Sequence, residues 1–298
     1  MDKLENTLRN WSKRSSDSEN QKSENATKMI RKAIDASPKL SSRNIQIIPK
    51  GSYHNNTNVR LNSDVDVAVK LTDVFYPKYP EGANAKTFGH TDGNYPFHTY
   101  RQEVEEAVIN TFGRGNVDFG DKSIKVQSNS YRVDADVVPC IEYRRYNSSQ
   151  NYISGTKFFG KQSDESVVNF PEQHYLNGVR KNNNTSRRYK RVVRILKRLK
   201  YKMLDENYDV ENISSFLIES LVFNVPNNYF NNDRISKDVS NALEYLLANT
   251  EKRENCKHWG EVSELLYLFH SGRKYSLEET HDFLKAAYDY LFVQKKLS

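Results

Sequence analysis

The sequence predicts an α+β fold, with a mixed half of helices and strands over roughly residues 1–170 and a helical half over 171–298. Three observations carry this expectation. Apolar residues alternate strictly along 64–71, as they do in a half-buried strand. After Pro171 the apolar spacing changes to three and four residues, the period of a helix. The chain has 298 residues, enough for two compact domains.

The elements follow in order. Leu4, Leu8 and Trp11 recur at helical spacing, and Met29, Ile30 and Ile34 continue the pattern after a polar stretch. The first 36 residues therefore read as helix. Ile45 to Lys50 is strand-like and ends at Gly51-Ser52. The next strand is 64–71. Residues 72–98 hold Pro77, Pro80, Gly82, Gly89, Gly93 and Pro96, and read as a long loop, either a lid or a structural excursion. A helix is expected over Tyr100–Phe112. A hairpin pairs 124–126 with 131–142 around Ser128 to Ser130. Two short strands fit between Tyr152 and Asn169. Helices are expected over 172–182, 187–203, 214–223, 237–249 and 277–296. A bilobed chain of this kind is expected to place its site in the cleft between the halves.

Composition excludes several classes. The chain carries 45 Lys+Arg against 38 Asp+Glu, a net charge of +7, and 12% aromatics. Disordered chains are poor in aromatics. No run approaches the roughly 18 apolar residues of a membrane span, and the charged N-terminus lacks the apolar stretch of a signal peptide. Cys140 and Cys256 form no CxxC, and the seven histidines show no metal-ligand spacing, so neither a zinc site nor a disulfide scaffold is expected. A soluble cytoplasmic protein without a membrane partner is the expectation. The positive excess fits phosphate-bearing partners.

Asp64 and Asp66 sit two apart on a predicted strand. Period 2 puts both on one face, about 7 Å apart at Cα, while Val65, Val67 and Val69 point into the core. Two such carboxylates repel unless neutralised, and a hard divalent cation suits oxygen ligands. An isolated pair of this kind is more often a solvated face. The second strand, 131–140, carries Asp134 and Asp136 on another alternating background. A third carboxylate beside the first two would complete a two-metal clamp. Periodicity does not choose between Asp134 and Asp136. Gly51-Ser52 precedes them, and a Gly-Ser turn can present N–H groups and a hydroxyl to phosphate, though alone it is more often only a turn.

The conjunction of Gly51-Ser52, Thr57, Ser63-Asp64-Val65-Asp66 and Asp136-Val137-Val138-Pro139 resembles the nucleotidyltransferases with a polymerase-β-like core. The resemblance implies that the Gly-Ser turn holds a triphosphate. It also implies that Asp64, Asp66 and Asp136 bind two Mg²⁺ ions, with Mn²⁺ able to substitute. Asp134 is then left solvated or supporting.

The helical half narrows the family. In 186–203, Tyr189, Val192, Val193, Leu196 and Leu199 form an apolar face, and Lys197 lies at its edge. A lysine there suits a polyphosphate, whereas most of the neighbouring cations read as a solvated face. Ser214 or Ser215 could cap the next helix, and Phe216 could pack in a core or stack on a base. Lys197 on one helix followed by Ser215-Phe216 opening the next resembles the bacterial relatives of cyclic GMP-AMP synthase, the CD-NTases. The resemblance implies that Lys197 and Ser215 contact triphosphate and that Phe216 stacks on a base. It implies a Mg²⁺-dependent enzyme that joins nucleoside triphosphates into a cyclic di- or trinucleotide, releases pyrophosphate, and signals to an effector in the anti-phage system CBASS. The zinc insertion of the animal DNA sensor is absent. A nucleic-acid activator is the lesser reading of Arg187-Arg188 and Lys190-Arg191, since a charged helix face needs no partner.

Overall fold

The computed structural model describes residues 3–14, 16–59, 64–148, 151–270 and 275–297; Ser63 of the sequence motif lies outside them. In chain order the elements are α1 (Lys3–Trp11), α2 (Asp17–Asp35), β1 (Ile45–Lys50), α3 (Gly51–His54), β2 (Val65–Lys78), α4 (Phe97–Phe112), β3 (Val117–Phe119), β4 (Ile124–Val126) and β5 (Ala135–Tyr146). They continue with β6 (Tyr152–Phe159), β7 (Ser166–Asn169), α5 (Pro171–Asn184), α6 (Tyr189–Asp205), α7 (Ser215–Asn224), α8 (Ile235–Thr250), α9 (Arg253–Cys256) and α10 (Leu277–Tyr288). The chain forms two compact units. One comprises 16–54 and 60–171, the other 1–15, 55–59 and 172–298.

The first unit is built on a seven-stranded sheet in the order β1-β2-β5-β4-β3, with β6 joining β5 to β7. Among the described strands only the central pair, β2 and β5, is parallel. Alternation sorts the faces. Val65, Val67, Val69 and Leu71 of β2 and Val137 of β5 are buried with Ile30 and Ile34 of α2 and Tyr100, Val104 and Val108 of α4. Each such side chain contributes roughly 1.5–3 kcal/mol on burial. The opposite face carries Asp66 and Asp136, then Ala68, Val138 and Cys140 packed with Phe158.

The second unit is helical, and its core gathers Leu4 and Leu8 of α1 with residues of α6, α7, α8 and α10. Tyr189, Val192, Val193, Leu196 and Leu199 of α6 are all buried in it, as their spacing predicts.

Several elements differ from expectation. The N-terminal helix is two helices. Ser16 caps α2 in a capping box with Glu19, so the polar stretch is a break. Residues 72–78 continue β2 past a register shift between Leu71 and Phe75 and are therefore not loop. The hairpin exists, with Val126 opposite Ala135, but β5 begins only at Ala135 and runs on to Tyr146.

Candidate active site

Register brings the carboxylates together. β2 and β5 run parallel with Asp66 directly opposite Asp136, and Asp64 immediately precedes β2. On the other side of Asp66 stands Lys50 of β1, its antiparallel partner. On the other side of Asp136 stands Lys125 of β4. Three acids are thus flanked by two lysines on one sheet face.

Their electrostatics are strained in one direction. Desolvation pushes the Asp66 carboxyl above the usual carboxylate range; Lys50 opposes the rise, and Asp136 and Asp64 add to it. Desolvation, then Asp64, raises Asp136 likewise, against the Ser123 hydroxyl, which donates to Asp136 Oδ1 at 3.3 Å. Asp64 pairs with Lys125 Nζ at 3.2 Å. Asp134 lies apart from this repulsion. Burial alone would raise it, but the Ser128 N–H donating to Oδ1 and Lys125 at 3.5 Å hold it below the usual range.

Gly51 closes the site from the β1 side. Its φ is +72°, and a Cβ built there would lie 1.9 Å from Asp66 Oδ2. The backbone can approach the carboxylate only because position 51 has no side chain. Ser52 follows in α3, half-buried.

Among the described residues no three His, Cys, Asp or Glu side chains close into a ligand cluster as they stand. The donor set nevertheless fits a hard divalent cation. It consists of carboxylate oxygens, with the Asp66 and Asp136 carboxyls raised by desolvation and then by neighbouring acids, and among the described residues its one ion pair is a surface pair. Lys125 and Asp64 are 41% and 35% exposed, and such a pair is worth about 0–1 kcal/mol.

The helical unit holds the remaining candidates. Ser214, not Ser215, caps α7, accepting from the Leu217 N–H at 3.0 Å. Ser215 Oγ lies 3.3 Å from Tyr201 Oη. Phe216 is half-buried with its ring 5.6 Å from that of His174. Lys197 differs from the expected edge lysine. It is 2% exposed, and its ammonium donates to Glu219 Oε2 at 2.9 Å and to Thr57 Oγ1 at 3.0 Å. The other Glu219 oxygen lies 3.1 Å from His174 Nε2. Burial alone would raise Glu219, but Lys197 and His174 hold it well below the usual carboxylate range.

Lys50, Lys125 and Glu219 were not singled out from sequence. Lys125 had a readable signal, because the hairpin register sets it opposite Asp136. Glu219 had one too. It is the lone charge in α7, SFLIESLVFN, and a buried charge requires a partner.

Comparison with known proteins completes the picture. A family model for the cGAS/DncV-like nucleotidyltransferase C-terminal helical domain matches residues 176–292. The cyclic dipyrimidine nucleotide synthase CdnE of Cecembia lonarensis is 46% identical over 291 residues, covering 96% of this chain and 98% of that protein. The structure of the Rhodothermus marinus CdnE c-UMP-AMP synthase with Apcpp and Upnpp superposes with a TM-score of 0.85 at 28% identity, over 97% of this chain and 96% of that one. The Elizabethkingia meningoseptica CdnE cyclic dinucleotide synthase with GTP and Apcpp gives a TM-score of 0.81 at 33% identity, over 97% and 98%.

Proposed function

The chain belongs to the cGAS/DncV-like nucleotidyltransferases, and on that premise we propose that it joins two nucleoside triphosphates into a cyclic dinucleotide. The observation that carries the reading is the facing pair Asp66 and Asp136, with Asp64 beside it and Gly51 giving the backbone access to Asp66. An acceptor ribose hydroxyl attacks the donor α-phosphorus in line. A new P–O bond forms, the hydroxyl proton passes to solvent, the bond from the α-phosphorus to the bridging oxygen breaks, and pyrophosphate leaves with that oxygen. Repetition with the roles exchanged closes the ring.

Asp64, Asp66 and Asp136 would hold two Mg²⁺ ions, or Mn²⁺ in their place, and these would lower the pKa of the attacking hydroxyl and neutralise charge on the triphosphate. The chain's own groups position the reactants. Gly51-Ser52 presents N–H and hydroxyl donors to phosphate. Ser215 opens α7 at its electropositive end, and Phe216 offers a ring for a base. Lys197 reaches a triphosphate by exchanging Glu219 for phosphate oxygens, one anion for another. The Cecembia lonarensis relative, a cyclic dipyrimidine nucleotide synthase, supports UTP and CTP as the first substrates to test. We place the reaction in the cytoplasm and its product upstream of an effector in anti-phage defence. No described helix is long and apolar enough to cross a membrane.

Incubation with all four NTPs and Mg²⁺, phosphatase digestion and mass spectrometry tests this. A cyclic product has no terminal phosphate and survives, and a product that is fully phosphatase-sensitive refutes cyclisation. The Asp64→Ala/Asp66→Ala variant should stay folded by circular dichroism and lose synthesis by about a thousandfold or more. Wild-type synthesis in that variant would remove the carboxylate assignment.

A further inference from the structure

Within the helical unit, a cavity of about 660 Å³ opens beside the start of α6, and eight of its twelve lining residues are Arg or Lys. Among its described lining residues the one carboxylate is Asp233. Two of the cations are answered elsewhere: Arg9 pairs with Glu5 at 3.2 Å, and Arg188 with the buried Asp238 at 3.1 Å. Arg194 is spent on the carbonyls of Ser12, at 2.8 Å, and Asn56, at 2.5 Å. Among the described residues, Arg14, Arg187, Lys190 and Arg191 pair with no carboxylate.

The positive field is deeper than the side-chain count implies. The N-terminal end of a helix is itself electropositive and normally takes an acid or an oxygen cap. Here Arg188 stands at the N-cap without a side-chain cap bond, and Lys190 and Arg191 occupy the first turn. The backbone N–H groups of Tyr189 and Lys190 are already met by Thr185 Oγ1 and Asn182 Oδ1, so a ligand would meet the cations more than the backbone. Desolvation pushes Lys190 down to about 8, with Glu219 opposing the fall and Arg194 and Arg14 adding to it, and Arg194 falls to about 10 through desolvation and then Arg14, Arg198 and Arg191. Burial is the main cause of both shifts, and the neighbouring cations outnumber the one acid, Glu219, that opposes them. Ser186 and Arg187, which lead into the cavity wall, both adopt left-handed backbone, φ 46° and 66°. Such conformations in non-glycine residues cluster at binding sites.

We propose that this cavity binds a small ligand carrying clustered phosphates, with Arg14, Arg187, Lys190 and Arg191 as its counterions. The size favours a small molecule, since ligand pockets run from about 300 to 1,000 Å³. Arginine forks and a lysine point charge are the groups that recognise phosphate oxygens. Arg194 also links the cavity wall to Asn56, and the next residue, Thr57, holds Lys197.

Calorimetric titration of the full chain with inorganic tripolyphosphate at 150 mM salt tests the proposal, alongside adenosine monophosphate and a 20-nucleotide single-stranded RNA. In metal-free buffer, where the carboxylates Asp64, Asp66 and Asp136 repel a polyanion from the active site, saturable one-to-one binding of tripolyphosphate is expected, with the monophosphate at least about tenfold weaker. Arg187→Asn with Arg191→Gln should weaken tripolyphosphate at least about tenfold, while Ser52→Ala with Asp64→Ala leaves it within about twofold. Asparagine is chosen because it tolerates the left-handed conformation. Absence of saturable binding, equal binding to the arginine variant, or loss only in the Ser52/Asp64 variant overturns the proposal. So does RNA binding that needs both arginines and that tripolyphosphate does not displace, because the surface then belongs to a nucleic acid.

Discussion

Two carboxylate-centred charge clusters of this chain are opposites. In the sheet unit, three half-buried carboxylates stand together, two of them pushed above the usual range by desolvation first, and their lysine Lys125 is a surface partner. In the helical unit, one carboxylate, Glu219, is enclosed at 5% side-chain exposure and answered by Lys197, Thr57 and His174. The first cluster holds repulsion that a cation would relieve, and the second has no unmet demand. Charge that is left unanswered marks where a ligand is expected, whereas charge that is answered internally holds the fold until a ligand offers the same counter-charge, as proposed for Lys197.

Four variants break or sharpen that contrast. Glu219→Ala leaves the Lys197 ammonium buried and unpaired, and should cost about 3–5 kcal/mol in urea denaturation. The linked pH dependence has a definite sign. Glu219 sits below its ordinary 4.5, so its stabilisation is present at neutral pH and is lost as pH falls below that value. A loss well under 1 kcal/mol would mean that the cluster is not structural. Gly51→Ala forces a methyl group against Asp66 at positive φ and should cost about 1–2 kcal/mol. Its synthesis rate should drop more steeply than its stability, and intact synthesis would show that the contact is not needed.

Asp66→Asn should have the opposite sign to Glu219→Ala. A carboxyl raised by folding loses stability as pH rises through the interval between its ordinary and raised pKa. Removing the charge should therefore raise the Tm of the metal-free protein at pH 7 by about 2 °C, while abolishing synthesis. A fall in Tm would mean that the charged form is favoured in the fold. Asp134→Asn should be the mildest, because Ser128 and Lys125 already satisfy that carboxylate. Its synthesis should stay within about threefold, and a loss matching Asp136→Asn would exchange their roles.

Much of this was legible in the sequence for a local reason. Alternation along 64–71 and 131–140 identified the two strands, although they begin at Val65 and Ala135 and leave Asp64 and Asp134 just outside them, and α6 buries the five residues its spacing selects. What local pattern could not supply was long-range. The parallel pairing that sets Asp66 opposite Asp136 joins residues seventy positions apart, and no periodicity encodes it. Lys197 was placed at a helix edge because its partner, Glu219, lies on another helix. The break between α1 and α2 was readable from Ser16 and Glu19, whose spacing makes a capping box.

The segment 55–59 belongs to the helical unit, although 54 and 60 on either side of it do not. The helical unit is therefore stitched from three stretches of chain, and no single cut releases it. Expressing 172–298 alone would discard Leu4, Leu8 and Thr57 and leave Lys197 with half its partners. A chimera that grafts the helical unit of one relative onto another must carry residues 1–15 and 55–59 with it, or it will exchange surfaces while disrupting the core beneath them.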